Sequence, residues 1–180
     1  FGLCWFVEAY WSDAAGATAA ESGTDWRLLR GDLARTGRVA GSKDPRTGGV
    51  QWSYQDGDAA FFSSPAVVGN RVYVSTAKLS AFGNGSGRIV CLDADNGNVV
   101  WSGGPANYAA TFSSPVVAGD YLVCGEGLHQ TENARIICLS LKQDEQGRVL
   151  WTHRTASHVE CAPVVWQDRV FVGAGDDGYY

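Results

Sequence analysis

Apolar residues in this chain fall in short runs separated by tight turns. "SPAVVG" is one such run, and "NRVYVSTA" follows it with alternating apolar and polar positions. The Gly69-Asn70 pair between them is typical of a two-residue hairpin turn, so the two runs predict an antiparallel hairpin. "GRIVCLDA" and "NVVWSG" predict a third and a fourth strand. No stretch carries a long apolar stripe with a 3.6-residue period, so we expect little helix outside the N-terminal segment.

This four-strand pattern repeats along the chain. The prolines that open each unit, Pro65, Pro115 and Pro163, are 50 and 48 residues apart. The second unit reads "SPVVAG", "DYLVCGE", "ARIICLSL" and "RVLWTH", and the third gives "APVVWQ" and "RVFVGAG" before the sequence stops at "DDGYY". Four-stranded units of about 40–50 residues in series are typical of β-propellers. We therefore predict an all-β fold, a β-propeller of four-stranded antiparallel blades, with about two and a half blades present.

Burial explains why such units occur in series. One four-stranded blade has two apolar faces and covers neither alone, whereas neighbouring blades cover both. Propellers close with about four to eight blades, so this chain is expected to be a fragment of a larger ring that stops within a blade. A solenoid or a β-sandwich remains an alternative.

A glycine and a tryptophan four residues apart recur near the end of each unit. An indole at a fixed strand position can wedge between blades and bury about 150–250 Å². The glycine permits a sharp turn and lets an indole lie against the backbone. We favour this structural role over ligand binding and predict the blade-docking residues to be Gly48, Trp52, Gly97, Trp101, Gly147 and Trp151.

Composition and charge narrow the classes of function. The formal net charge is −5, and no basic footprint for nucleic acid is present. The five cysteines include no C-x-x-C pair, which argues against a zinc ribbon or a thioredoxin-type motif. We interpret them as small buried strand residues, and their disulfide state stays open.

The N-terminal segment differs from the repeats. "FGLCWFV" is apolar and is followed by "DAAGATAAESG", which resembles the end of a secretory signal peptide with a cleavage site near 17–19. The remnant of a membrane anchor and a short disordered or helical leader are the alternatives. The predicted division is a leader at 1–24, a lead-in segment at 25–49 and propeller blades at 50–180, with boundaries near 101 and 151.

Two stretches resemble a known family. "LDADNGNVVW" together with "SSPAVVGNRVYV" resembles the pyrroloquinoline-quinone-type (PQQ-like) propeller repeat, and "DWRLLRGDLARTG" resembles the segment before the first blade in many bacterial members. The resemblance covers 25–180. The second unit departs from the pattern, since "LSLKQDEQGRVLW" lacks the Asp-Ala pair and is three residues longer. Members include quinone-dependent alcohol dehydrogenases and the barrel-assembly lipoprotein of bacterial outer membranes, and the resemblance implies a ring of seven or eight blades.

The dehydrogenases of this family use a quinone, a calcium ion, an Asp base and often a vicinal cysteine pair. This chain has no Cys-Cys pair. "DADNGN" at 93–98 superficially resembles a calcium loop, but its glycine is at position five rather than six. We therefore predict no catalytic, cofactor-binding or metal-binding residue in this chain. PQQ and calcium remain conceivable only for the full-length protein.

The connections between strands two and three vary in length while the strands keep register. Variable loops on a regular scaffold are common recognition sites. We predict interaction loops at 77–87 and 126–134, with Asn84, Ser86, His129 and Glu132 as candidate contact residues, and tolerated insertions as the alternative. His129 and Glu132 are three residues apart and would need a helix to converge on an ion, so we interpret them as solvated.

These observations favour an exported, non-catalytic scaffold or protein-binding module of a bacterium, located in the periplasm or outside the cytoplasm at a membrane. We expect a protein partner at the rim loops and no nucleic acid, and the N-terminus is a candidate membrane anchor. Two alternatives stay open. One is part of a PQQ- and calcium-dependent alcohol dehydrogenase, and the other is an extracytoplasmic sensor domain of a larger membrane protein.

Overall fold

The computed structural model describes residues 25–38, 49–81 and 84–180. Within these ranges the regular structure is β-strand apart from one 3-10 turn, Gly175–Asp177, and no described helix is long and apolar enough to cross a membrane. The all-β prediction is therefore confirmed. The proposed leader at 1–24 and Gly48 lie outside the described residues, and the predicted domain boundaries stay predictions.

Two complete four-stranded antiparallel sheets follow one another along the chain. In each, the strands are paired in sequence order, so each sheet is a meander with the first and fourth strands at its edges. Blade one consists of β1 (Ala66–Val68), β2 (Arg71–Ser75), β3 (Ile89–Asp93) and β4 (Val99–Gly103). Blade two consists of β5 (Val116–Ala118), β6 (Tyr121–Gly125), β7 (Arg135–Ser140) and β8 (Val149–Arg154).

The two blades share irregularities as well as strands. The register between the third and fourth strands shifts after Cys91 in blade one and after Cys138 in blade two. These cysteines occupy equivalent positions in "RIVCLDA" and "RIICLSL". Such a bulge bends one strand and increases the local twist, so the repeat preserves the curvature of a blade.

The third unit contains two hairpins. β9 (Val164–Trp166) pairs with β10 (Arg169–Phe171), and β11 (Gly173–Ala174) pairs with β12 (Gly178–Tyr179). The run "RVFVGAG", predicted as one strand, is therefore divided, because its first half pairs with β9 and its second half with β12. The third strand of this unit begins near the expected position.

Two apolar clusters lie between successive units. Leu122 and Cys124 of β6 face blade one, whereas Val123 between them faces the third unit. Both faces of blade two are thus covered, which is why its inner strands are almost continuously apolar. The first cluster joins Ala66, Tyr73, Ile89 and Cys91 to Val117, Leu122, Ile137 and Leu139, and the second joins Val123, Ile136 and Cys138 to Val159, Val172 and Ala174.

Hydrogen bonds of the Ser-Ser-Pro motif also join the units. The main-chain N–H of Ser64 donates to Ser114 Oγ at 2.9 Å, and Ser75 Oγ donates to the carbonyl of Ser113 at 2.7 Å. Ser113 Oγ donates in turn to the carbonyl of Cys161 at 2.7 Å. The repeated Ser-Ser-Pro motif therefore connects neighbouring blades in addition to opening the first strand.

The lead-in segment contacts the first strands of both blades. Trp26 exchanges two backbone hydrogen bonds with Val67 of β1, at 2.7 and 2.6 Å. The next carbonyl, that of Arg27, accepts from the N–H of Val117 in β5 at 2.9 Å. The segment thus spans the edges of β1 and β5 and ties blade one to blade two.

Candidate functional site

The two ends of each blade differ in structure. At one end lie short turns, where the Asn70 amide donates to the Asp93 carboxylate at 3.1 Å. At the other end lie the long β2–β3 and β6–β7 connections and the segments that lead into β1 and β5. We call this second end the loop rim and define it by residues 61–64, 77–81, 84–87, 111–114 and 126–134. The described residues of both predicted interaction loops belong to it.

The first loop packs on the segment that leads into blade two. The carbonyl of Asn84 accepts from the N–H of Ala110 at 3.3 Å, and Gly87 N–H donates to the carbonyl of Tyr108 at 2.9 Å. Ser86 pairs through its backbone with Lys78. The Asn84 and Ser86 side chains are exposed, so the backbone holds this loop while its polar side chains face solvent.

The second loop is held by a buried ion pair. Both guanidinium nitrogens Nε and Nη2 of Arg135 contact the Glu126 carboxylate, at 2.5 and 2.9 Å. The same carboxylate accepts from the N–H of Ala109 at 3.2 Å, and Arg135 Nη2 also donates to the carbonyl of Asn107 at 3.1 Å. This bidentate pair fixes the loop base and the segment leading into blade two together.

Blade one uses its equivalent arginine in a similar way. Arg88, at the start of "RIVCLDA", pairs with Asp56 in the segment leading into blade one, through Nε at 2.8 Å. The sequence carried a signal for this role, since an arginine stands just before β3 and at the first position of β7. The partners of these arginines differ between the two blades and were not predicted.

An exposed aromatic pair occupies the loop rim. Phe62 and Phe112 precede the Ser-Ser-Pro motifs of successive units, and their rings meet edge to face with centroids 4.6 Å apart. Phe62 is 50% exposed and Phe112 38%. Phe61 beside them is also exposed, and its ring centroid lies 5.9 Å from that of Tyr54. The sequence prediction missed this group, although both phenylalanines occupy the same position of the repeat.

The predicted contact residues His129 and Glu132 are both exposed. The structure brings His129 together with His158 of the following unit, with ring centroids 5.1 Å apart. Among the described residues no group of three or more His, Cys, Asp and Glu side chains is arranged to hold a metal ion.

The glycine–tryptophan pairs make contacts from one unit to the next. A Cβ at Gly97 would lie 2.6 Å from the Trp52 indole, and one at Gly147 would lie 2.8 Å from the Trp101 indole. Trp52 Nε1 also donates to the carbonyl of Ala94 at 2.9 Å. Each of these two indoles thus covers the turn between the third and fourth strands of the unit that follows its own.

Trp151 is the third tryptophan of this set. It is half-buried in β8 and lines an open cleft of about 380 Å³. Tyr121, Lys142 and Arg148 line the same cleft.

Side chains of the 93–98 turn are engaged within the turn itself. Asp93 accepts from Asn70, Arg71 and the Asp95 N–H, and Asn96 accepts from the Asn98 N–H. These bonds account for "DADNGN" as a turn. The arrangement of these groups does not fit a calcium loop, and we derive no step through calcium or a quinone.

Buried thiols are held in their protonated form. Burial raises the pKa of Cys91 and of Cys124 to about 11 and that of Cys138 to about 12. These three cysteines and the exposed Cys161 are all free, so no disulfide joins the described cysteines. A thiol with a raised pKa is a poor nucleophile at neutral pH, which fits a packing role.

Most of the chain matches the model of a known protein family. A family model described as outer membrane protein assembly factor BamB matches residues 27–143, which is about two thirds of the chain. The chain belongs to this family of PQQ-like propellers. The matched BamB range includes most of the described lead-in segment, all of blade one, and blade two through β7. A search of the curated proteins gave no match.

Proposed function

We propose that this chain is part of an exported propeller that binds a protein partner at its loop rim. The observation that carries the proposal is the exposed Phe62–Phe112 pair. Aromatic side chains that stay accessible on a rigid scaffold are enriched at the centres of protein interfaces. The two rings come from different blades, so the surface that they form exists only when the blades are assembled.

The rest of the rim supports this role. Glu126, Arg135 and Ser113 are all engaged in bonds that hold the loops and the blades together. Such a framework presents the aromatic rings and the exposed Asn84 and Ser86 in a defined arrangement. A preorganised surface loses little conformational entropy when a partner binds.

The family adds to the argument. The matching model is described as an outer membrane protein assembly factor, a description that names a role in the assembly of other proteins. A location outside the cytoplasm and contact with other proteins are what we extend from it to this chain as part of the proposal.

Photo-cross-linking in the producing bacterium tests the proposal. A photoreactive phenylalanine analogue replaces Phe112 in the full-length protein, and a matched variant carries it at Val99. Val99 is 48% exposed but lies on the outer strand β4 rather than at the loop rim. We expect one discrete cross-linked protein with the probe at Phe112 and none at Val99. Equal yields at the two positions would contradict a partner site at the rim.

A second measurement separates this proposal from the dehydrogenase alternative. The full-length protein is incubated with PQQ and Ca²⁺ and assayed for dye-linked alcohol oxidation. The scaffold proposal predicts no turnover above the background of the cofactor alone. Turnover that depends on the protein would overturn its non-catalytic part, whatever the cross-linking shows.

A further inference from the structure

Two loops from successive units meet at the loop rim and bring two histidines together. The N–H of Asn133 donates to the carbonyl of Ala156 at 3.1 Å, and the N–H of Val159 donates to the carbonyl of Glu126 at 2.9 Å. These backbone bonds flank His129 on one loop and His158 on the other. The backbone of both units therefore holds together the two loops that carry the imidazoles.

The distance between the rings suits coordination of one ion. An ion about 2.1 Å from each ligating nitrogen lies about 3.2 Å from each ring centroid, and a tetrahedral angle then puts the centroids about 5.2 Å apart. The observed centroid separation is 5.1 Å, with an angle of 61° between the ring planes.

His158 is already oriented in the way that metal-ligating histidines usually are. The residue is 6% exposed, and its Nδ1 lies 3.1 Å from Ser157 Oγ. Gly175 packs closely beside the same part of the ring, since a Cβ there would lie 2.8 Å from Nδ1. Ligating histidines commonly use one ring nitrogen for an orienting hydrogen bond and the other for the metal. The tautomer that donates Nδ1–H to Ser157 Oγ leaves Nε2 of His158 free to ligate, and the exposed His129 gives the ion access from solvent.

We propose that His129 and His158 form a binding site for a divalent transition-metal ion at the junction of blade two and the third unit. Imidazole ligands suit Zn²⁺, Ni²⁺ and Cu²⁺, whereas Ca²⁺ and Mg²⁺ require oxygen ligands. The described residues supply two protein ligands, and water occupies the remaining positions, so the ion exchanges readily. A bound ion connects the 126–134 loop to the third unit.

Isothermal titration of the untagged full-length protein with ZnCl₂ tests the site. The chain has three histidines, and His153, which contacts Tyr180, provides a matched control. We expect the His129→Ala variant to bind one ion fewer per chain than the parent protein, or to bind that ion at least about tenfold more weakly. The His153→Ala variant retains the parent stoichiometry and affinity.

A further measurement checks the same site. A titration with CaCl₂ should give the same result for the parent protein and for His129→Ala, because calcium requires oxygen ligands. Unchanged Zn²⁺ binding in His129→Ala overturns the proposal, as does an equal loss in His129→Ala and His153→Ala. His129 is exposed, so its replacement leaves the fold intact, and a thermal melt without added metal confirms this.

Discussion

At the scale of single residues, the blades depend on glycines that serve two purposes. Gly97 and Gly147 have φ angles of +74° and +79° and also lie directly beneath an indole. Gly119, in the β5–β6 turn, shares only the first property, because its φ is +56° and nothing lies within 4 Å of the position of a Cβ.

This difference allows the two effects to be separated. Gly119→Ala should lower the free energy of unfolding by about 1 kcal/mol, the cost of a left-handed backbone for a residue with a Cβ. Gly97→Ala should cost about 1–3 kcal/mol more, since its Cβ must displace Trp52. Denaturant titration of both variants measures the difference. Equal losses would show that the indole contact contributes nothing.

The buried thiols give a second prediction at this scale. Iodoacetamide should label Cys161 in the native protein and reach Cys91, Cys124 and Cys138 only after unfolding. Mass spectrometry of the digested protein identifies the labelled sites. Rapid native labelling at Cys138 would contradict its burial and its raised pKa.

The same thiols make stability depend on pH. In the unfolded chain they ionise near their ordinary pKa of about 9, whereas in the folded chain they keep their protons to about 11 or 12. Between these values the folded state binds more protons, so the free energy of unfolding falls as the pH rises above about 9. Urea midpoints measured between pH 8 and 10.5 check the sign, and a Cys138→Ala variant should show a shallower decline.

At the scale of the elements, the ion pairs that hold loops and turns differ in burial. In the Arg135–Glu126 pair the carboxylate is buried and the guanidinium is partly buried, whereas the Arg148–Glu145 pair in blade two is largely exposed. A buried carboxylate that loses its partner keeps its desolvation cost, and an exposed one is solvated by water.

Arg135→Ala should therefore destabilise the protein by about 3 kcal/mol, and Arg148→Ala by less than about 1 kcal/mol. Hydrogen exchange of the 126–134 amides should accelerate in the first variant alone. Equal effects of the two substitutions would show that water reaches Glu126 and replaces its partner.

Strand positions could be predicted from the sequence because alternation, apolar runs and glycine turns act over a few residues. The first and second strands of blades one and two lie where "SPAVVG", "NRVYVSTA" and their copies place them. The contact between His129 and His158 could not be predicted, since it depends on how two loops from different units meet. The turn that each indole contacts could not be predicted either. The repeat period gives the position of a tryptophan within a blade but not the direction in which its side chain points.

At the scale of the whole molecule, each unit is coupled to the next through equivalent residues. Ser113 is central to this coupling, since its hydroxyl accepts from Gly125 N–H within blade two and donates to the carbonyl of Cys161 in the third unit. Removing one partner of a buried hydrogen bond leaves the other unsatisfied, at a cost of about 1–3 kcal/mol.

Ser113→Ala should accordingly loosen the third unit more than blade one. Hydrogen exchange of the β9 and β10 amides should accelerate, while the amides of β3 keep the parent rate. A uniform acceleration across all strands would show instead that the units unfold together.

The reach of each indole into the following unit has a consequence for gene duplication. Each tryptophan is separated from the turn that it covers by about one whole repeat. One unit therefore supplies the indole of one contact and the glycine turn of another. Inserting a second copy of residues 53–102 would place a new Gly97 turn under Trp101 and a new Trp101 over Gly147. Both indole–glycine contacts would be rebuilt from parts that already match, so a chain of this kind can lengthen by whole units and keep this contact at each new junction.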